Sequence, residues 1–428
     1  MRAAMAGLTT RGRALLAAGL TASALALVSG QADVLRVGIL VSVLPVLAAL
    51  SVARTRFRLS CRRAVRPSRV PAGDEGQVTL RLENVASLPT GLLLVEDQSP
   101  VTLGSRPRFV VDRLAPRSTR EVHYPIRSEV RGRYLVGPLS VRLADPFALC
   151  GLDRTFSSQD LFVVTPAIED LPAIPLTGDW SGSGDSRARS VAAAGEDDVA
   201  VREYRHGDEL RRVHWRATAK QGSLMVRREE QPWESRATLL LDLRASAHRG
   251  RAPDSTFERL VSGAASVGTH LGRRGYSVRL VSGAGLDVAS AAHEPGSVPA
   301  DNEGLLLDAL AVVQERADID VHALAAAIRH APDGLMVVAL GALSRDDADQ
   351  LVRARHGMGT TIALTAACAD WVSAGGAEHS RLADEAQQAQ ALLRIAGWRV
   401  VPVERGVPLA QHWPMAGRLG ADAPRGAA

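Results

Sequence analysis

Residues 237–246 have the sequence ATLLLDLRAS, and this stretch predicts the architecture of the C-terminal half of the chain. An apolar run that ends in an aspartate is typical of a strand buried on both faces. Further apolar, strand-like runs follow it, and helical patterns separate them. Strands that alternate with helices predict an α/β fold with a doubly wound parallel sheet. The strand-like runs are 277–282, 335–340, 361–366 and 398–403, and the helical runs are 254–274, 303–315, 320–330, 345–355 and 383–396.

The α/β domain predicted from this pattern covers residues 232–415, and residues 416–428 are predicted to form a disordered tail. Ligands of such sheets bind at the carboxyl ends of the strands. Asp242 lies at the carboxyl end of the first strand, where it begins the sequence Asp242-Leu243-Arg244-Ala245-Ser246. This loop is therefore the first place to look for a ligand.

The loop resembles the cation site of a von Willebrand factor A domain, which has the pattern Asp-x-Ser-x-Ser. Asp242 and Ser246 match two of its positions, and oxygen ligands on a loop suit Mg²⁺. Arg244 stands where the pattern has its middle serine, which removes one oxygen ligand and adds a positive charge. We therefore predict a degenerate site with no metal or other cofactor, in which Asp242 pairs with Arg244 or caps the next helix. A Mg²⁺ site at Asp242 and Ser246 is the alternative.

Several function classes lack their sequence motifs in this chain. No Gly-rich phosphate loop precedes the first helix of the α/β domain, which argues against a nucleotide-binding Rossmann domain. The chain has neither a G-x-S-x-G elbow nor an H-E-x-x-H motif. Its three cysteines, Cys61, Cys150 and Cys368, are far apart and lack the paired spacing of a disulfide framework or a zinc site.

Just before this domain, residues 201–231 form the most distinctive segment, VREYRHGDELRRVHWRATAKQGSLMVRREEQ. Asp208 is a good N-cap residue, and Gly222 suits the position that ends a helix. The spacing between them predicts a short amphipathic helix, followed by a strand over 223–228. Tyr204 and Trp215 are predicted to anchor it. The apolar face of this helix would consist of Leu210, Val213, His214 and Ala217.

The arginines of this segment have two interpretations. They pair internally with acidic neighbours such as Asp208, or they dock phosphate or an acidic protein surface. A metal site at His206 and His214 has little support, because a spacing of eight residues without carboxylates or cysteines is not a metal-ligand pattern. The docking candidates are Arg202, Tyr204, Gly207, Asp208, Arg211, Arg212, Trp215, Ala219 and Gly222.

Residues 57–166 alternate apolar and polar side chains in short runs. Val78, Leu80 and Leu82 form one such run, and 122–126 and 139–143 form others. Gly- and Pro-rich turns separate them, so we predict a β-sandwich-like domain with a structural or protein-binding role. Residues 167–200 are rich in small and polar residues towards their C-terminal end and are predicted to be a flexible linker.

Two apolar runs precede the β-rich region. Residues 14–32 and 35–53 are each close to the length that crosses a bilayer. A transmembrane helical hairpin within residues 1–56 explains both runs. A cleaved signal peptide followed by one span is the main alternative. Two buried helices of a soluble domain are less favoured, because neither run has a polar face.

The distribution of charge predicts the orientation of this hairpin. The formal net charge of the chain is +5. Residues 1–70 hold eleven arginines and one acid, a charge of +10, so the rest of the chain carries −5. Because basic flanks stay in the cytoplasm, both termini should be cytoplasmic in a multi-pass protein of the plasma membrane. The soluble part is slightly acidic, which does not favour nucleic-acid binding.

The segment 201–231 resembles the signature of the domain-of-unknown-function 58 family. The matching residues are Arg202, Tyr204, Gly207, Asp208, Arg211, Trp215 and Ala219, followed by Gly222-x-Leu224 and the strand that ends at Asp242. Three short motifs upstream of this segment also match the family, namely Arg131-Gly132-Arg133-Tyr134, Gly137-Pro138 and Asp145-Pro146-Phe147.

The resemblance implies a membrane-anchored partner of a MoxR-type AAA+ ATPase, with other membrane proteins such as a transglutaminase-like protein nearby. It implies a von Willebrand factor A-like domain that contacts proteins, and no catalytic activity can be carried over from the family. We therefore expect a cytoplasm-facing adaptor in a chaperone-like or complex-assembly role. The alternatives are a hydrolytic or metal-dependent enzyme centred on Asp242, or on His206 and His214, and nucleic-acid binding through the basic segment.

Overall fold

The computed structural model describes most of the chain, and it divides into two compact units. The first unit is Met1–Ile168 with Leu307–Val313, and the second is Glu169–Leu306 with Gln314–Ala428. The described residues are 8–54, 59–87, 89–90, 92–144, 147, 149–175, 201–204, 213, 215–227, 236–282, 287–290, 299–331, 334–355 and 359–418.

The first unit begins with two long apolar helices, α1 (Thr10–Ser29) and α2 (Ala32–Arg54). By length and composition, both are able to cross a membrane. They pack through small residues: a Cβ on Gly19 would lie 2.6 Å from the Ser42 nitrogen, and one on Gly38 would lie 2.7 Å from the Ser23 nitrogen. This close approach leaves the larger apolar side chains, such as Leu27 and Leu40, exposed on the outside.

The prediction of a strand-rich region after the helices is confirmed. The strands form a sheet of order β1-β3-β6, a sheet of order β2-β10-β7 and a four-stranded sheet of order β5-β4-β8-β9. The strands are β1 (Leu59–Arg66), β2 (Arg69–Pro71), β3 (Glu75–Asn84), β4 (Leu92–Asp97), β5 (Arg108–Val111), β6 (Thr119–Arg127), β7 (Gly132–Val136), β8 (Leu139–Ala144), β9 (Gly151–Phe156) and β10 (Asp160–Thr165).

The sheets of this unit enclose one apolar core, to which alternate residues of the strands contribute. Val78, Leu80 and Leu82 of β3 are fully buried in it. At its edge, the Arg63 guanidinium donates to both carboxylate oxygens of Asp97, over 3.0 and 2.7 Å. The Tyr124 hydroxyl donates to the same carboxylate. Burial raises the pKa of Tyr124, and the bond to Asp97 adds to this effect, so the phenol stays protonated.

Segment 307–313 belongs to the first unit because a buried arginine holds it there. The Arg131 guanidinium donates to the backbone carbonyls of Leu310 and Val313, over 3.1 and 2.8 Å. Arg131 is the first residue of the upstream motif Arg131-Gly132-Arg133-Tyr134. The Tyr134 hydroxyl donates to the Val130 carbonyl over 2.7 Å, which closes a turn beside this contact.

The second unit contains a six-stranded sheet of order β17-β16-β13-β18-β19-β20. Five of its strands are parallel, and β17 at one edge is antiparallel to β16. The prediction of a parallel sheet in this half is therefore confirmed. The strands are β13 (Arg236–Leu241), β16 (Ser277–Ser282), β17 (Asp287–Ser290), β18 (Leu335–Leu340), β19 (Thr361–Ala366) and β20 (Arg399–Val403), and two short pairs are β11 (Val201–Glu203) with β12 (Met225–Arg227) and β14 (Gly250–Arg251) with β15 (Asp254–Ser255).

Helices cover the sheet on two faces because its strands are apolar on both. Leu239 of β13 faces the helix Thr256–Arg273, whereas the next residue, Leu240, lies in a core that three other helices complete, namely Val321–Arg329, Arg345–Ala354 and Ala377–Ile395. The helices of this unit are α3 (Trp215–Gln221), α4 (Thr256–Arg273), the N-terminal part of α5 (Pro299–Val312), α6 (Val321–Arg329), α7 (Arg345–Ala354), α8 (Ala377–Ile395) and α9 (Leu409–His412).

The stretch assigned from sequence to a linker over 167–200 begins with residues packed on the second unit. The Ser266 hydroxyl accepts a hydrogen bond from the Glu169 backbone, and the Glu169 carboxylate accepts one from Arg259. Arg274 donates to the Ile174 carbonyl over 2.9 Å. These contacts fix residues 169–174 against α4, and residues 176–200 lie outside the described part of the chain.

Candidate functional site

The signature segment forms a small two-stranded unit with a helix between its strands. Arg202 in β11 pairs with Val226 in β12, and the Tyr204 backbone donates to the Leu224 carbonyl over 2.8 Å. Tyr204 is half-buried there. Gly207, Asp208, Arg211 and Arg212 lie outside the described residues, as do His206 and His214.

The described helix of this segment is Trp215–Gln221, and residues 205–212 and 214 lie outside the described part of the chain. It begins at Trp215, and Val213 lies in an extended bridge to Val226 instead of on a helical face. The backbone of Gly222 has φ +74°, and its N–H donates to the Thr218 carbonyl, which ends the helix. Pairing with β12 therefore takes Val213 out of the helix that its spacing favours.

Trp215 does not anchor this unit, which corrects the prediction from sequence. Its side chain is 70 % exposed. Arg216, Ala219 and Lys220 on the same helix are exposed as well. Trp215 therefore presents a large apolar side chain to solvent on the same short helix as two exposed cations.

A second candidate lies where the order of the parallel strands reverses. Counted along the chain, the five parallel strands have the order 2-1-3-4-5, so the reversal falls between β13 and β18. In α/β sheets the ligand crevice opens at this point, beyond the carboxyl ends of the strands. Asp242 follows β13 directly, and Gly341 follows β18.

The loop after β13 fills this crevice. Its 3₁₀ turn, Ala245–Ala247, approaches β18 so closely that a Cβ on Gly341 would lie 2.5 Å from the Ala247 carbonyl oxygen. The Ala342 N–H donates to that same carbonyl over 2.7 Å. A glycine at position 341 is required by this close approach, and little space remains at the reversal point itself.

Asp242 is completely buried, and Arg244 satisfies both of its carboxylate oxygens. The guanidinium Nε donates to Oδ1 and Nη2 to Oδ2, each over 2.9 Å. The backbone N–H groups of Arg244 and Gly341 donate to the same carboxylate over 3.1 and 3.2 Å. The pairing of Asp242 with Arg244 is one of the two arrangements expected from the sequence.

Arg244 also contacts groups that the sequence does not identify. Its Nη1 donates to Asp347 over 3.4 Å, and its Nη2 donates to the Ala342 carbonyl over 3.3 Å. The ion pairs with Asp242 and Asp347 raise the pKa of Arg244 above its usual value despite burial, so the side chain stays charged. Ser344 and Asp347 form a capping box at the start of α7, and this Ser-x-x-Asp spacing is the one sequence signal that singles out Asp347.

The residues present do not fit a divalent cation at this position. The guanidinium bonds both oxygens of Asp242, and Ser246 is exposed on the 3₁₀ turn instead of facing that carboxylate. Among the described residues, no group of three or more His, Cys, Asp and Glu side chains is placed to hold a metal ion. Arg244 supplies the positive charge that a metal would otherwise bring to Asp242.

Two further polar groups lie close to Asp242. His248 Nε2 is 2.9 Å from the Asp242 carbonyl oxygen, and its Nδ1 is 3.4 Å from the Thr256 hydroxyl. Burial lowers the pKa of His248, so the imidazole stays neutral at neutral pH. Burial raises the pKa of Cys368 to about 11, which makes this thiol a poor nucleophile.

A small cleft lies next to this loop, between the ends of β18 and β19 and helix α8. Thr365, Cys368, Glu385 and Gln390 provide its polar groups. The Gln390 amide donates to the Thr365 hydroxyl over 3.2 Å, so two of these groups satisfy each other. The cleft therefore offers few free polar groups to a ligand.

Comparison with known proteins gives one family match. Residues 200–364 match the family described as Protein of unknown function DUF58. The matched part includes the signature segment, the Asp242 loop and three of the parallel strands. It covers less than half of the chain and supports the DUF58 resemblance there. No curated protein matches this chain.

Solved structures resemble only parts of the chain. The ApaA protein of Bordetella pertussis is 14 % identical, with 25 % of this chain and 94 % of that one covered and a TM-score of 0.20. The CARDB domain of the PF1109 protein from Pyrococcus furiosus is 13 % identical, with 24 % and 89 % covered and a TM-score of 0.18. The sporulation control protein Spo0M of Bacillus subtilis is 12 % identical, with 25 % and 49 % covered and a TM-score of 0.16.

Proposed function

We propose that this protein is a membrane-tethered adaptor that docks a protein partner in the cytoplasm through its signature segment. The observation that carries the proposal is Trp215, which is 70 % exposed at the start of α3, a short helix that also exposes Arg216 and Lys220. Exposed tryptophan and arginine are enriched among the residues that dominate the free energy of protein association.

The expected partner has an acidic surface that surrounds an apolar pocket. Trp215 would fill the pocket, while Arg216 and Lys220 pair with carboxylates around it. The DUF58 resemblance names a MoxR-type AAA+ ATPase as the partner, with a transglutaminase-like membrane protein as a further component. The same resemblance gives the second unit a von Willebrand factor A-like fold, with its ligand edge closed by Arg244.

The proposed tether is the helical hairpin of α1 and α2, in the plasma membrane and with both termini in the cytoplasm. Exposed leucines and valines cover the outside of the hairpin, whereas small residues fill the contact between the helices. This distribution suits a lipid environment, where close helix packing depends on small side chains.

An enzyme centred on Asp242 has no support among the described residues. A catalytic carboxylate must reach substrate, and Asp242 is fully buried and bonded to Arg244. We therefore propose no catalytic role and no metal for this site.

Site-specific photo-crosslinking tests the adaptor proposal. Benzoylphenylalanine at position 215 of the full chain, in membranes that contain the co-expressed MoxR-type ATPase, should crosslink to that ATPase. The matched control places the probe at Ile395, which is 84 % exposed on α8 in the same unit. Equal crosslinking from the two positions, or none from position 215, would refute docking through Trp215.

A further inference from the structure

Both long helices meet the strand-rich region at one end. The Thr9 backbone and hydroxyl, just before α1, both donate to the Leu149 carbonyl, over 2.9 and 3.1 Å. Gly12 lies so close that an added Cβ would be 2.1 Å from that oxygen. Near the end of α2, Ala48 and Ala49 are buried in the same core as Leu149.

The strand registers identify which loops share this end. Leu92, the first residue of β4, pairs with Ala144, the last residue of β8, and Ala144 pairs with Gly151 at the start of β9. Residue 149 therefore lies beside the loop that leads into β4. The Thr90 backbone in that loop bonds the Leu114 carbonyl over 3.0 Å, which brings the loop 112–118 to the same end.

Exposed apolar side chains lie on these loops. Phe147 is 65 % exposed, Leu92 is 49 % exposed and Val85 is 48 % exposed. Val85 directly follows β3, whose last residue, Asn84, pairs with Leu59 at the start of β1. All three side chains therefore lie around the base of the hairpin.

Exposed arginines surround the same end. Arg11 and Arg13 lie on the first turn of α1, and the loop 112–118 and the start of β6 add three more. Among the described residues, the exposed acids nearest to these arginines are Glu83, Asp112 and Glu121, so positive charge is in excess. The three added arginines are Arg113, Arg117 and Arg120.

We propose that this end of the first unit is a membrane-contacting surface. Val85, Leu92 and Phe147 enter the boundary between headgroups and acyl chains, and the surrounding arginines bind the phosphates of anionic lipids. This inference rests on the proposed membrane anchoring.

The length of α1 puts this surface at the boundary of the hydrocarbon core. The 20 residues of α1 extend about 30 Å, which matches the hydrocarbon core, so Thr9 and its partner Leu149 lie at the lipid boundary.

Lipid-borne quenchers test the depth of Phe147. The full chain would carry Phe147→Cys with an environment-sensitive fluorophore, in vesicles of phosphatidylcholine and phosphatidylglycerol that contain a quencher near the headgroups. Cys61 would be replaced by serine. The remaining native thiols, Cys150 and Cys368, are 1 % and 3 % exposed and should label slowly.

Val101→Cys is the matched control. Val101 is 80 % exposed and follows the other end of β4, where Asp97 pairs with Leu139, about 17–20 Å from Leu92. We expect quenching at position 147 to exceed that at position 101 by about threefold or more, because only the former probe reaches the lipid. Equal quenching at the two positions would overturn the proposed surface.

A third probe tests the membrane anchor separately from the membrane-contacting surface. Leu40→Cys lies on the exposed face of α2 and reports on the hairpin alone. Quenching at position 40 without quenching at position 147 refutes the membrane-contacting surface and leaves the anchor intact. Absence of quenching at position 40 refutes the anchor and, with it, this inference.

The arginines have a test of their own. The triple variant R113Q/R117Q/R120Q should lower the quenching at position 147 in vesicles with phosphatidylglycerol, by about twofold, because it removes attraction to anionic headgroups. Arg106→Gln, an exposed arginine on the loop that follows β4 at the opposite end, is the control. Unchanged quenching in the triple variant would refute the role of these arginines.

Discussion

At the scale of single residues, Arg244 determines the chemistry of the strand-reversal point. A buried carboxylate requires either a cation or several hydrogen-bond donors, because its desolvation is otherwise too costly. Asp242 obtains both from the chain itself, through the guanidinium and two backbone N–H groups. A positive charge that is covalently attached does not depend on the concentration of a metal ion, so the loop should keep its conformation without one.

We predict that Arg244→Met destabilises the second unit by about 3–5 kcal/mol, because Asp242 is left buried without its counter-ion. All six tryptophans follow residue 168, so tryptophan fluorescence of the full chain reports the unfolding of this unit. The double variant with Asp242→Asn should be more stable than Arg244→Met alone, since it removes the uncompensated charge.

The control for this prediction is Arg353→Met. Arg353 pairs with Asp349 on the surface of α7, where its side chain is 77 % exposed, so its loss should change little. Adding a chelator to the wild-type chain should leave the transition unchanged. A small effect of Arg244→Met, or a chelator-sensitive transition, would contradict this account of the site.

At the scale of elements, local pattern predicts most helices and strands of the second unit closely. The run 335–340 is β18, and 345–355 coincides with α7, because long periodic patterns and capping residues are local properties. The helix of the signature segment differs from what its local pattern predicts. The sequence predicts that this helix starts near Asp208, but Val213 forms a bridge to Val226. That bridge depends on β12, a strand that comes later in the chain.

The contact between α1 and the strand-rich region is a second feature at the scale of elements. We predict that Gly12→Val separates the start of α1 from Leu149, since the existing gap does not hold even a Cβ. Cys150, which is 1 % exposed and bridges to Leu8, should then react faster with a maleimide.

Peptide mass spectrometry of the labelled full chain would measure this change. Cys368 is the internal control, because it is 3 % exposed in the second unit and should keep its low reactivity. If Cys150 remains as slow as Cys368 in the variant, α1 is not held against this loop in the way that the structure shows.

At the scale of the whole molecule, the excess of arginine before residue 70 predicts the orientation of the chain in the membrane. Basic segments beside transmembrane helices remain in the cytoplasm, and the short connection between α1 and α2 carries little charge. Under the proposed topology, this connection is the part of the hairpin that reaches the outside.

We predict that Gln31→Cys is labelled by a membrane-impermeant maleimide on intact cells. Gln31 is exposed between the helices. Val101→Cys should be labelled only after the cells are permeabilised, because the proposed topology has the strand-rich region in the cytoplasm. Labelling of Val101→Cys on intact cells would reverse the topology, and absence of Gln31 labelling would contradict the hairpin.

The sequence by itself determined the order of elements: two apolar helices, short alternating strands, and then strands alternating with helices. These features follow from periodicity and charge, which each segment carries whatever its neighbours are. Only the tertiary structure decided that Trp215 is exposed and that Arg244 lies between Asp242 and Asp347. The latter contact joins residues 103 positions apart, and it exists because β13 and β18 are neighbours in the sheet. Strand order is a property of the whole fold, so no local pattern around Asp242 contains it.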